Sequence, residues 1–218
     1  MPARRKRLAP TTILLVRHGQ TPTTGKHLPG RAPGLHLSDA GRTQAEAAAT
    51  RIAALPRVDA VYSSPLERAR ETAAPIARAR GLRAHLDKGL LECDYGDWTG
   101  AELKALARLP EWRVVQRHPS GFRFPGGESL SEMQTRFTDT MQRLAATHPG
   151  GVVVAVSHAD PIRAAVADAM GSHLDMFQRV VVGTASITAI AYGELGPVLL
   201  TMNAYGDLSQ LGAKAMAP

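Results

Sequence analysis

Two histidines and two arginines stand where three apolar runs of this chain stop. Arg17-His18-Gly19 follows Ile13–Val16 at once, Ser63-Ser64-Pro65-Leu66-Glu67-Arg68 follows Val58–Tyr62, and Ser157-His158 follows Val152–Val156. Guanidinium groups present planar forks that match phosphate oxygens in pairs, and an imidazole exchanges protons near neutral pH. Taken singly, each residue has an ordinary structural reading. A histidine after a strand is usually a hydrogen-bonded framework residue, and Arg68 in a first helical turn would be a solvated charge. Arg17 beside a strand end is harder to explain that way, because a buried unpaired charge is expensive. All four at strand ends together point to a pocket for a phosphate-like anion.

Such convergence needs an α/β sheet, in which ligands gather beyond the carboxyl ends of the strands. The chain alternates β-rich apolar runs with helical patterns accordingly. Ile13–Val16, Val58–Tyr62 and Val152–Val156 read as buried strands, Leu82–Leu86 as an edge strand, and Ala185–Tyr192 and Val198–Met202 as late strands. Ala45, Ala48, Ala49 and Ile52 mark the inner face of a helix over 38–54. Ser64 and Pro65 predict a helix start that runs to Arg80, Thr99 a cap for a helix to Leu109, and Ser129 with Glu132 a capping box for a helix to Thr147. Asp160-Pro161 opens a helix that Gly171 stops. The stretch 110–127, broken by three prolines and three glycines, reads as a long loop of the kind that often forms a lid. The expected fold is a single α/β domain, a mostly parallel open sheet with helices on both faces, over 11–212. It is flanked by a disordered basic tail at 1–10 and a short tail at 213–218.

The composition suits a soluble globular chain: 44% hydrophobic and 21% charged over 218 residues, with a single cysteine, Cys93. Cysteine-based zinc sites and internal disulfides are therefore excluded, which fits a cytoplasmic location. The net charge of +7 owes much to Arg4, Arg5, Lys6 and Arg7, so nucleic acid is not expected as a partner. No apolar run reaches the ~20 residues of a membrane span, and Ile13–Val16 is too short for an export signal.

The motifs also resemble those of the histidine phosphatase superfamily, which includes cofactor-dependent phosphoglycerate mutases, fructose-2,6-bisphosphatases and broad acid phosphatases. Arg17-His18-Gly19 resembles its opening motif, and Ser63 to Ala73 its second arginine block. The stretch Leu91-Glu92-Cys93-Asp94-Tyr95-Gly96-Asp97-Trp98-Thr99-Gly100 resembles the acid-carrying loop. Pro125-Gly126-Gly127-Glu128-Ser129 resembles the segment that opens a helix in its phosphatase branch, and Val156-Ser157-His158 its second-histidine block. The resemblance implies that His18 is the nucleophile that becomes phosphohistidine. Arg17, Arg68 and His158 would hold the phosphoryl oxygens, with His158 protonated, and Glu92 would be the proton donor. It implies no metal and no cofactor, because these cations replace magnesium. Glu92 must then carry a raised pKa, for which Leu90, Leu91 and a like-charged Asp94 are the expected causes, and the pH optimum should be acidic.

Gln20 stands where the family often has Glu, Thr24 where an Asn commonly reaches the phosphate, and Ala159 and Asp160 where glycines are usual. Thr24 is expected to replace part of the Asn contact, and Asp160 to cap a helix or tune His158. The function so implied is a metal-independent phosphatase acting on a small phosphomonoester. The alternatives are a phosphoglycerate mutase-type enzyme or a non-catalytic phospholigand-binding protein. The segment 101–124 lacks the tandem arginines of the mutases, with Arg113, Arg117 and Arg123 scattered, which favours hydrolysis. The physiological substrate and a homodimeric state are left open.

Overall fold

The computed structural model describes residues 9–208 and Leu211, so most of the expected basic tail and all of 213–218 lie outside the described residues. Strands β1 (Thr11–Arg17), β2 (Ala60–Ser63), β3 (Ala84–Leu86), β4 (Val152–Ser157), β5 (Ile187–Gly193) and β6 (Gly196–Ala204) form one six-stranded sheet. Its order is β3-β2-β4-β1-β5-β6, parallel from β3 to β1 and antiparallel across β5 and β6. The mostly parallel α/β sheet expected from the chain is therefore present. Helices are α1 (Asp39–Ala53), α2 (Glu67–Ala79), α3 (Leu103–Leu106), α4 (Pro110–Arg117), α5 (Leu130–Thr147) and α6 (Ala159–Ala169).

Strand alternation sends β1 side chains into two cores. Leu14 and Val16 pack with Ala49 and Ile52 of α1 and Ala73 and Ile76 of α2. Ile13 and Leu15 face Phe137, Met141 and Leu144 of α5 and Ile162 and Ala165 of α6. A third core, of Tyr95, Trp98, Leu106, Phe124 and Phe177 among others, seats the segment 93–124 against α5 and α6. The capping box at Ser129 is complete, with Glu132 N–H donating to Ser129 Oγ and Ser129 N–H to the Glu132 carboxylate. Gly171, at φ +62°, ends the turn after α6 as expected.

Three local expectations are corrected. Helix α2 begins at Glu67 behind Leu66, not at Ser64-Pro65, because the Ser64 N–H still bonds Val156 O at 2.9 Å and its hydroxyl turns to His158. Thr99 caps no helix. Gly100 N–H and Leu103 N–H bond Leu28 O and Lys26 O at 2.7 and 2.8 Å, which draws 100–103 alongside 26–28, and α3 starts only after Glu102. The stretch 110–127 is not a long loop, since Pro110 occupies the first turn of α4, where its missing N–H costs nothing.

Candidate active site

Parallel register sets the site. Arg17 lies opposite Ser157 and Ser63 opposite Val156, so the ends of β1, β2 and β4 finish side by side. His18 N–H continues the ladder to Ser157 O at 2.9 Å. The turn after it is held by backbone contact with α1: a Cβ on Gly41 would lie 2.0 Å from Gln20 O, and one on Gly19 2.5 Å from Gly41 O. Only glycine permits this approach.

The His18 and His158 rings lie 5.2 Å apart, centroid to centroid. Burial and the Arg68 and Arg17 guanidiniums push the His18 imidazole well below its usual pKa, so the ring is neutral. Nδ1 sits 2.7 Å from Gly19 O, which can only accept, so the ring proton is on Nδ1 and the Nε2 lone pair is free. Arg68 is fully buried; Nη2 donates to Gly30 O at 2.7 Å, while Nε and Nη1 are buried with no partner. Arg17 donates from Nη1 to Val182 O at 2.7 Å, and its Nε is likewise orphaned. His158 is fully buried, with Nε2 2.8 Å from Ser64 Oγ and Nδ1 unpartnered. Buried donors without acceptors are rare and costly. Their clustering here makes a cradle for an anion.

His158 departs from expectation. Burial, then Arg68, His18 and Arg17, push its pKa well below the usual histidine value. That direction runs against the protonated third charge expected from the motif.

Glu92 is buried, with Oε1 accepting from Cys93 N–H at 3.0 Å. Its pKa is raised from 4.5 to about 7, first by burial and then by the charge of Asp160, against the lowering pull of the Cys93 amide, Arg68 and Arg17. The like charge is therefore Asp160 rather than Asp94, which pairs with Arg31 at 3.3 Å. Asp160 accepts from Tyr95 Oη at 2.8 Å and Arg163 Nη1 at 3.0 Å. Because the folded value lies above the unfolded one, the neutral carboxyl favours the fold below about 4.5, and that contribution fades as pH rises through about 7. The Cys93 thiol is buried and its pKa is pushed up, chiefly by desolvation.

Thr24 is tied into its own turn: Oγ1 accepts from Thr21 N–H at 2.9 Å and lies 3.0 Å from Thr21 Oγ1. Sequence reasoning missed Ser64, which it read as a helix cap, and also Arg31 and Arg136, isolated cations with no motif around them. Among the described residues, no group of three or more His, Cys, Asp or Glu side chains is placed to hold a metal ion, and no helix is long and apolar enough to cross a membrane.

The chain is similar to known proteins. The chain is 31% identical to phosphoserine phosphatase 1 of Hydrogenobacter thermophilus over 208 residues, covering 93% of this chain and 97% of that protein. It is 35% identical over 182 residues to the bifunctional protein Rv2228c of Mycobacterium tuberculosis, covering 82% of this chain but 50% of the relative, so it spans about half the length of that curated protein. The solved structure of mycobacterial glucosyl-3-phosphoglycerate phosphatase Rv2419c superposes with a TM-score of 0.79 at 28% identity, covering 88% of this chain and 98% of that one. The model of the histidine phosphatase superfamily (branch 1) matches residues 13–205, and the chain belongs to that superfamily.

Proposed function

We propose that the protein is a phosphatase that hydrolyses small phosphomonoesters through a phosphohistidine on His18, without a metal. The observation that carries this reading is the cradle itself: orphaned N–H groups of Arg17, Arg68 and His158 surround an imidazole whose one free nitrogen is Nε2. Nε2 attacks phosphorus in line, a P–N bond forms and the ester P–O bond breaks, with charge on the equatorial oxygens met by the two guanidiniums. Ser64 Oγ accepts the Leu66 N–H at 3.4 Å and engages His158 Nε2 at 2.8 Å. His158 Nδ1, buried without a partner, is the ring nitrogen left to meet a phosphoryl oxygen. Glu92 hands its proton to the leaving oxygen. Its carboxylate then takes one from the attacking water as the P–N bond breaks and His18 is restored.

Hydrolysis is favoured over phosphoryl relocation by the segment 101–124. Arg113 and Arg117 are exposed, and Arg123 pairs with Glu132 on α5. The tandem arginines of the mutase pattern are missing from this segment. Relatives named for phosphoserine and glucosyl-3-phosphoglycerate make alkyl monoesters of that size the first substrates to try.

The test is phosphate release with EDTA present, from p-nitrophenyl phosphate and a panel that includes phosphoserine and 3-phosphoglycerate. Mutase activity without release, or binding without turnover, would overturn the reading. With Glu92 at about 7, kcat on an alkyl ester should fall about tenfold per pH unit above that value, because the donor loses its proton. The same limb should vanish in Glu92→Gln; a rate flat to pH 9 in the wild type would remove Glu92 as the acid.

A further inference from the structure

Glu92 lies on a stretch without helix or strand, between short turns at Lys88–Leu90 and Gly96–Trp98. A proton donor must be held within hydrogen-bond reach of one oxygen, and such a loop does not do this by itself.

A charged knot surrounds the backbone of this loop. Arg136 on α5 donates from Nη1 to Gly89 O and Leu91 O at 2.8 and 3.0 Å and from Nη2 to Glu92 O at 3.4 Å. Arg31, from the segment after β1, donates from Nε to the same Glu92 O at 2.9 Å. Both arginines meet at Glu128: Oε1 accepts from Arg31 Nη2 at 2.9 Å, from Arg136 Nη2 at 2.7 Å and from Asp94 N–H at 3.0 Å. Its Oε2 takes Arg136 Nε at 3.3 Å. The carbonyls on one side of Glu92 and the amide two residues beyond it are thus gripped by a single ionic hub. Each of the three side chains is at least two-thirds buried, so screening by water is reduced.

We propose that Glu128, with Arg31 and Arg136, is a positioning centre that sets the reach of the Glu92 carboxyl. It touches neither substrate nor phosphoryl group. The inference rests on Glu92 being the proton donor, as in the reading above. Its signature is a dependence on the leaving group. An alkoxide needs a proton as it departs, whereas p-nitrophenolate leaves readily without one. Displacing the donor therefore slows alkyl esters and largely spares the aryl ester.

Glu128→Gln keeps the shape of the hub and removes the charge that holds two guanidiniums. On the fastest alkyl ester of the panel, kcat should fall about 10- to 100-fold, the scale of a donor displaced by about 1 Å. On p-nitrophenyl phosphate the loss should stay within about threefold, and the inhibition constant of inorganic phosphate should stay within about twofold, because no group in the cradle has changed. Arg31→Lys, which leaves the Glu128–Arg136 pair in place, provides the same comparison if Glu128→Gln folds poorly; it should show the same selective loss, smaller in size. Equal losses on both substrates, or none on the alkyl ester, would overturn the positioning role. Failure of the parent reading looks different, because the wild-type protein itself would release no phosphate.

Discussion

His18→Ala should lose at least about 10⁴-fold in turnover, since removal of the nucleophile deletes the first bond-forming step rather than weakening it. Phosphate binding should survive to within about tenfold, which is the scale of one net hydrogen bond. The orphaned donors of Arg17, Arg68 and His158 remain, and the neutral His18 ring contributes no charge to lose. The acid-labile phosphoprotein seen by rapid quench in the wild type should be absent. Isothermal titration with inorganic phosphate and single-turnover kinetics on the same preparation separate the two effects. A variant with near-normal rate would remove His18 from the chemistry.

Arg68→Met should show an opposite pairing of effects, with activity falling steeply while stability does not. The guanidinium is fully buried, its Nε and Nη1 have no acceptor, and desolvation lowers its pKa. In the folded protein it is an incompletely compensated charge that only an anion satisfies. Methionine fills comparable space without that penalty. Removing that desolvated charge offsets the lost hydrogen bond to Gly30 O, so thermal unfolding should occur at about the same or a higher temperature. Most buried substitutions instead lose ~0.5–3 kcal/mol. Meanwhile kcat/KM should fall by about 10²–10³, the scale of one preorganised donor removed from a transition state. Arg68 also lowers the Glu92 pKa, so the basic limb of the residual activity should move upward. A marked drop in unfolding temperature with activity retained would mean that Arg68 is a framework residue.

The sheet was legible because β1 and β4 carry continuous apolar, Val- and Ile-containing runs, and the site was legible because histidines and arginines stand at the strand ends. Ser129 and Glu132 show how a reciprocal cap is readable from spacing alone. What stayed hidden depends on tertiary contact. Ser64 looks like a helix cap in sequence, yet the β2–β4 ladder extends through its amide and sends its hydroxyl to His158. Pro110 looks like a break and instead starts α4. The lowered pKa of His158 could not be read from its motif, because burial and then the guanidiniums that arrive from α2 and β1 cause it. Arg31 is remote in sequence from Glu128 and Arg136, which stand just before and on α5, and only the folded chain brings the three together.

The lone sulfhydryl of the chain lies next to Glu92, the proposed proton donor, walled off from solvent and held in its un-ionised form. Thiolates, not thiols, react with peroxides and alkylating agents. On the proposed mechanism the attacking atom is a ring nitrogen, so no thiolate is needed in the chemistry. Millimolar hydrogen peroxide or iodoacetamide should leave its rate intact where a thiol-dependent phosphatase would be silenced, and rapid inactivation protected by inorganic phosphate would show that the sulfur is reachable after all.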